Sequence, residues 1–107
     1  MYISGNEKEA LKALQTELSK DFSLKDFRLF GSKARGDHSP GSDLDVMIVI
    51  ENSSPAVEEK IDDLVFDLNI KFDCLITPLY FSSEEIEAGP FSESPVYKRA
   101  LAEGISF

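Results

Sequence analysis

Apolar residues along this chain keep two rhythms, one of three to four residues and one of nearly continuous runs. Ala10, Leu11, Leu14 and Leu18 recur at the steps that put side chains on one helix face. Ser4 precedes Glu7 by three residues, a capping-box pair, so a helix is predicted over about residues 5–20. Residues 26–30, Asp-Phe-Arg-Leu-Phe, read as a short strand ending at Gly31. Residues 31–42 are rich in Gly, Ser, Asp and Pro, with one helical turn fitting 32–35. The run from Leu44 to Ile50 is dense in Val and Ile and predicts a strand covered on both faces.

Ser54-Pro55 then supplies an N-cap and a proline at the first helical position. Val57, Ile61, Leu64, Val65 and Leu68 follow as the apolar stripe of an amphipathic helix. A third strand is predicted over 72–77, stopped by Pro78, and a short acidic helix over 83–88. Ser94-Pro95 opens a last helix that ends at Gly104.

This order predicts an α/β (α+β) fold: a small mixed sheet of three to four strands backed by helices. The strand–helix–strand unit makes a right-handed crossover between parallel strands, so the second and third strands start at the same end. The first two strands, joined by the 31–42 loop, are then antiparallel. One end of the sheet is thereby expected to gather the Gly31 loop, Asp43 with Asp45, and Asp73.

Size and charge narrow the classes. The 107 residues suit a single domain spanning 1–107. The longest apolar run, Val46-Met47-Ile48-Val49-Ile50, is far too short to span a bilayer, and no membrane partner is expected. The N-terminus has neither the basic start nor the apolar stretch of a signal peptide, and Cys74 is the single cysteine. A cytoplasmic location is therefore expected. A formal charge of −9 disfavours long nucleic acids, which need a basic surface. A small phosphorylated ligand held with metal, or a basic protein partner, fits better.

Asp43 and Asp45, two apart on a strand, leave the same face with Cα atoms roughly 6.5–7 Å apart. Two carboxylates so close repel, and a divalent cation relieves the repulsion. Mg²⁺ usually takes one or two carboxylates plus substrate phosphates. Asp73 is expected to add a third acid, and three acids at one edge suit two metals about 4 Å apart. Gly31 lets backbone come close to a phosphate, Ser32 adds a hydroxyl and N–H donors, and Lys33 and Arg35 offer triphosphate neutralisation.

The stretch Leu29-Phe30-Gly31-Ser32-Lys33-Ala34-Arg35-Gly36-Asp37, continuing to Ser42-Asp43-Leu44-Asp45-Val46-Met47-Ile48-Val49, resembles the signature of the DNA polymerase beta-like nucleotidyltransferases. That signature is Gly-Ser, ten residues, then Asp-x-Asp. The Gly-Ser-Lys-Ala-Arg-Gly-Asp segment is similar to the minimal nucleotidyltransferase branch, whose members often serve as antitoxins to HEPN-domain ribonuclease toxins. Phe72-Asp73-Cys74-Leu75-Ile76 is similar to the branch's third motif, and Lys33 departs from it where arginine is more usual.

The resemblance implies ATP as donor, two Mg²⁺ sites on Asp43, Asp45 and Asp73, and phosphate binding by Gly31, Ser32, Lys33, Arg35 and Ser42. It also implies AMP transfer to a protein tyrosine of a HEPN-type toxin. Two other readings compete. One is a small-molecule nucleotidyltransferase of the aminoglycoside type, which usually carries an additional substrate domain for which this length leaves no room. The other is an antitoxin that acts by contact alone.

Plainer readings apply elsewhere. His38, the single histidine, is an exposed loop residue, and Cys74 a small core residue. Tyr97, Lys98 and Arg99 serve surface or packing, and Glu84, Glu85 and Glu87 form a solvated helix face.

Overall fold

A computed structural model describes residues 3–36 and 43–106 of the chain. Helix α1 (Gly5–Asp21) opens on the capping box: the Glu7 N–H donates to Ser4 Oγ, and the Ser4 N–H donates to Glu7 Oε1. Strand β1 (Leu24–Phe30) leads directly into a short helix, α2 (Gly31–Arg35), closed by Gly36 in the left-handed region. Strand β2 (Leu44–Ile50) and helix α3 (Pro55–Phe72) follow, with Ser54 Oγ capping the Val57 N–H. Strand β3 (Ile76–Ser82), helix α4 (Ser83–Ala88), a 3₁₀ turn over Pro90–Glu93, helix α5 (Pro95–Glu103) and a two-residue strand β4 (Ile105–Ser106) complete the chain.

The sheet runs β3-β2-β1-β4, with β2 antiparallel to β1 and parallel to β3, as the crossover argument requires. Its alternation sorts the core into two layers. Leu44, Val46, Ile48 and Ile50 turn one way, into the larger cluster with Leu11, Leu14 and Leu18 of α1 and Ile61, Val65 and Leu68 of α3. Met47 and Val49 turn the other way, onto Phe81 and Ala100, with Ile86 and Tyr97 packed alongside. Both faces of β2 are thus covered, which accounts for its unbroken apolar run. No helix among the described residues is long and apolar enough to cross a membrane.

The third strand departs from expectation. It begins at Ile76 and not at Phe72, because α3 continues through Phe72 and Asp73 is its C-cap, in left-handed conformation with φ 50°. Asn69 fixes this corner: its Oδ1 accepts from the Ile76 N–H at 2.8 Å, and its backbone carbonyl accepts from the Cys74 N–H at 3.1 Å. Pro78 lies inside β3 and does not end it, opposite Val46. The edge position makes this possible, since an edge strand can do without one outward N–H.

Candidate active site

Asp43 and Asp45 stand where β2 begins, on the face shared with Met47 and Val49. Asp43 is exposed, whereas Asp45 is half-buried and held. Thr77, its partner in register on β3, donates its hydroxyl proton to Asp45 Oδ1 at 2.9 Å. The other oxygen, Oδ2, lies against the Cα of Gly31: a Cβ added there would come within 2.4 Å of it. Gly31 also has φ +76°, a conformation that L side chains rarely adopt. Glycine is required here twice over, and the two halves of the motif meet at this point.

Helix α2 presents backbone donors at the same place. Ser4, Ser54 and Ser82 cap α1, α3 and α4 through their side chains, but Phe30 precedes α2 and offers no side-chain cap hydrogen bond. The first N–H groups of a helix have no intrahelical acceptor, so those of α2 are available to an external one. Ser32 is half-buried in this first turn.

The two bases of α2 separate to opposite sides of the sheet end. Lys33 is 6% exposed and turns to α1, where its Nζ lies 3.1 Å from Glu7 Oε2. Burial acts to raise the Glu7 carboxyl, but the Ser4 N–H and Lys33 outweigh it and lower its pKa. Lys33 was expected to face the triphosphate; here its ammonium ties α2 to α1. Arg35 remains on the α5 side, with Nη1 3.0 Å from Glu103 Oε2.

Asp73 shares the end of the sheet with Asp43, since β3 runs parallel to β2, but it stands back on the corner after α3. One step before the Leu44–Ile76 pair, it is the half-exposed Leu75 that flanks Asp43, its carbonyl accepting from the Leu44 N–H. Among the described residues no three His, Cys, Asp or Glu side chains are gathered as a metal cluster. Asp73, the expected third acid, stands on the corner after α3, while Asp43 and Asp45 lie at the start of β2. Ser42 and His38 lie outside the described residues. Burial, with Glu7 and Asp73 nearby, raises the Cys74 thiol, which therefore stays protonated at neutral pH.

The donor set fits Mg²⁺ with a triphosphate: two hard carboxylates and open N–H donors, held close because Gly31 has no side chain to keep Asp45 away. Thr77 was missed by sequence reasoning. Its signal is the strand register, because a threonine 32 residues along shares a face with Asp45 only once β3 is aligned.

Comparison with known proteins agrees with this geometry. Residues 10–99 match the nucleotidyltransferase domain family. MJ0141 of Methanocaldococcus jannaschii, provisionally named a protein adenylyltransferase, is 39% identical over 72 residues, covering 61% of this chain and 73% of that protein. MJ1215 of the same organism, named likewise, is 34% identical over 70 residues, covering 64% and 81%. A provisionally named minimal nucleotidyltransferase of known structure superposes with a TM-score of 0.63 at 19% identity, over 94% of this chain and 91% of that one. A toxin–antitoxin structure with AMP-PNP does so at 0.63 and 17% identity, over 92% and 70%, which shows the shared fold.

Proposed function

The chain belongs to the nucleotidyltransferase domain family, and from that premise we propose that it is a Mg²⁺-dependent protein adenylyltransferase. AMP passes from ATP to a hydroxyl of a protein partner, and pyrophosphate leaves. The observation that carries this reading is the packing of Gly31 against Asp45, which brings the open N–H donors of α2 to the carboxylates at the start of β2.

Asp43 and Asp45 would hold Mg²⁺, which when bound supplies neutralisation of the triphosphate and holds its oxygens in place. The Ser32 hydroxyl and the first N–H groups of α2 donate to the β- and γ-phosphate oxygens. Arg35, on the same side as the acids, lends charge to the triphosphate. The acceptor oxygen bonds to the α-phosphorus, the bond to pyrophosphate breaks, and the hydroxyl proton passes to Asp73, the acid on the corner after α3.

The acceptor we assign is a tyrosine of a HEPN-type toxin, with this chain as its antitoxin in the cytoplasm. The protein-adenylyltransferase relatives support a protein acceptor, and the toxin–antitoxin structures of the same fold are consistent with it. One observation favours a second reading, in which contact alone neutralises the partner: Asp73 is not gathered with the other two acids.

Incubation with Mg-ATP and the protein encoded beside this chain separates the two. We expect intact-mass spectrometry to show one AMP added to the partner by wild type and none by Asp43→Ala or Asp45→Ala. Asp73→Asn should keep its stabilisation by Mg-ATP and lose the adduct. Tight binding of the two wild-type proteins with no change in the partner's mass would replace catalysis by contact.

A further inference from the structure

Helix α3 carries a second apolar feature on the side that its core packing leaves open. Phe66 and Ile70 are 64% and 67% exposed, the two most exposed large apolar residues among those described. They are four residues apart and so lie one above the other on a single helix face. Leu68, buried in the main core, is two residues from each, which on an α-helix is about 200° of rotation. The pair therefore points away from the sheet, with about two-thirds of each side chain open to solvent.

Acids surround it. Glu59, Asp63 and Asp67 are exposed on the same outward half of α3, while Asp62, also exposed, accepts a hydrogen bond from the Tyr80 hydroxyl of β3. Lys60 and Lys71, the bases of this helix, are about 100° and 120° round from the centre of the pair. An apolar centre with a charged rim is the anatomy of a protein-binding patch. The acids decide what binds. Nucleic acids and anionic lipid surfaces are repelled by these three carboxylates, and a second copy would set this acidic rim against its own equivalent.

We infer that the outward face of α3, centred on Phe66 and Ile70, docks a protein whose complementary surface is apolar at its centre and rimmed by Lys and Arg. This deepens the reading given under Proposed function, and rests on it for the identity of the partner: it names the surface by which the acceptor protein is held. The surface lies on the helix layer of the sheet, whereas Asp43 and Asp45 face the opposite layer. Docking and chemistry are thus separable by mutation.

The experiment uses the two purified proteins, this chain and the neighbour-encoded partner, with titration calorimetry for affinity and the Mg-ATP-induced rise in melting temperature as a check on the nucleotide site. The Phe66→Ser/Ile70→Ser variant should lose about 30-fold or more in affinity, the scale of an interface hot spot. Asp63→Lys/Asp67→Lys should weaken binding and flatten its dependence on salt. Both variants should keep the full Mg-ATP shift.

The inference is overturned if Phe66→Ser/Ile70→Ser, with its Mg-ATP shift intact, binds the partner as tightly as wild type. It is likewise overturned if sedimentation shows the pair buried in a self-dimer. Loss of partner binding in that variant, alongside a wild type that transfers no AMP, would support the docking surface and sink the catalytic reading. No binding of wild type to the partner would overturn both.

Discussion

At Asp45 two neighbours act on one carboxylate, Thr77 by a hydrogen bond to Oδ1 and Gly31 by leaving room beside Oδ2. A hydrogen bond to a charged group contributes about 1.5–3 kcal/mol, so Thr77→Val, which keeps the shape, should reduce Mg-ATP affinity by about tenfold or more. Thr77→Ser should restore most of it. Calorimetry that finds the valine variant equal to wild type would remove Thr77 from the site. For Gly31→Ala, the left-handed backbone alone costs about 1–3 kcal/mol, and the methyl must also displace Asp45. A lowered melting temperature with no remaining Mg-ATP shift is expected; an unaltered shift would mean that the close approach is dispensable. The Gly-Ser and Asp-x-Asp residues were legible in the sequence because their spacing is local. The reason for the glycine was not: it was read as room for a phosphate, while the structure shows room for Asp45.

Elements were legible where caps and periodicity agree, as at Ser4, Ser54 and Gly104, and β2 begins and ends as read. The third strand was displaced because its start is set by Asn69, whose side chain bonds a residue seven positions on, a link that no local pattern displays. Pro78 misled for a related reason, since only the strand order shows that β3 is an edge. Lys33 was assigned to phosphate on its charge and on the resemblance; its burial under α1 depends on how two helices pack. That pairing has a pH signature. The Glu7 pKa is lowered on folding, so its contribution is complete above the ordinary glutamate value of about 4.3 and fades as pH falls through the lowered one. Glu7→Gln leaves the buried Lys33 without its charged partner and should melt lower than wild type near neutral pH. The two melting curves should converge as pH falls through the lowered Glu7 value. A gap that stays constant across that range would show that the pair carries no linked stability.

Across the whole molecule, one sheet separates two tasks. Its larger layer packs α1 and α3, and α3 turns an acidic, apolar-centred face outward. Its smaller layer carries α4 and α5, and the acids of β2 lie on that side at the end where α2 begins. The net charge of −9 favours a basic protein over a polynucleotide, as composition alone indicated. The central claim is transfer of a nucleotidyl group to a protein, and label position tests it most directly. The neighbour-encoded partner is incubated with this chain, Mg²⁺ and ATP labelled at either the α- or the γ-phosphate, and the protein-bound label is counted. The account predicts that α-label is retained on the partner, γ-label leaves with pyrophosphate, and Asp45→Ala retains neither. Retention of γ-label would make the reaction a phosphoryl transfer and contradict the account.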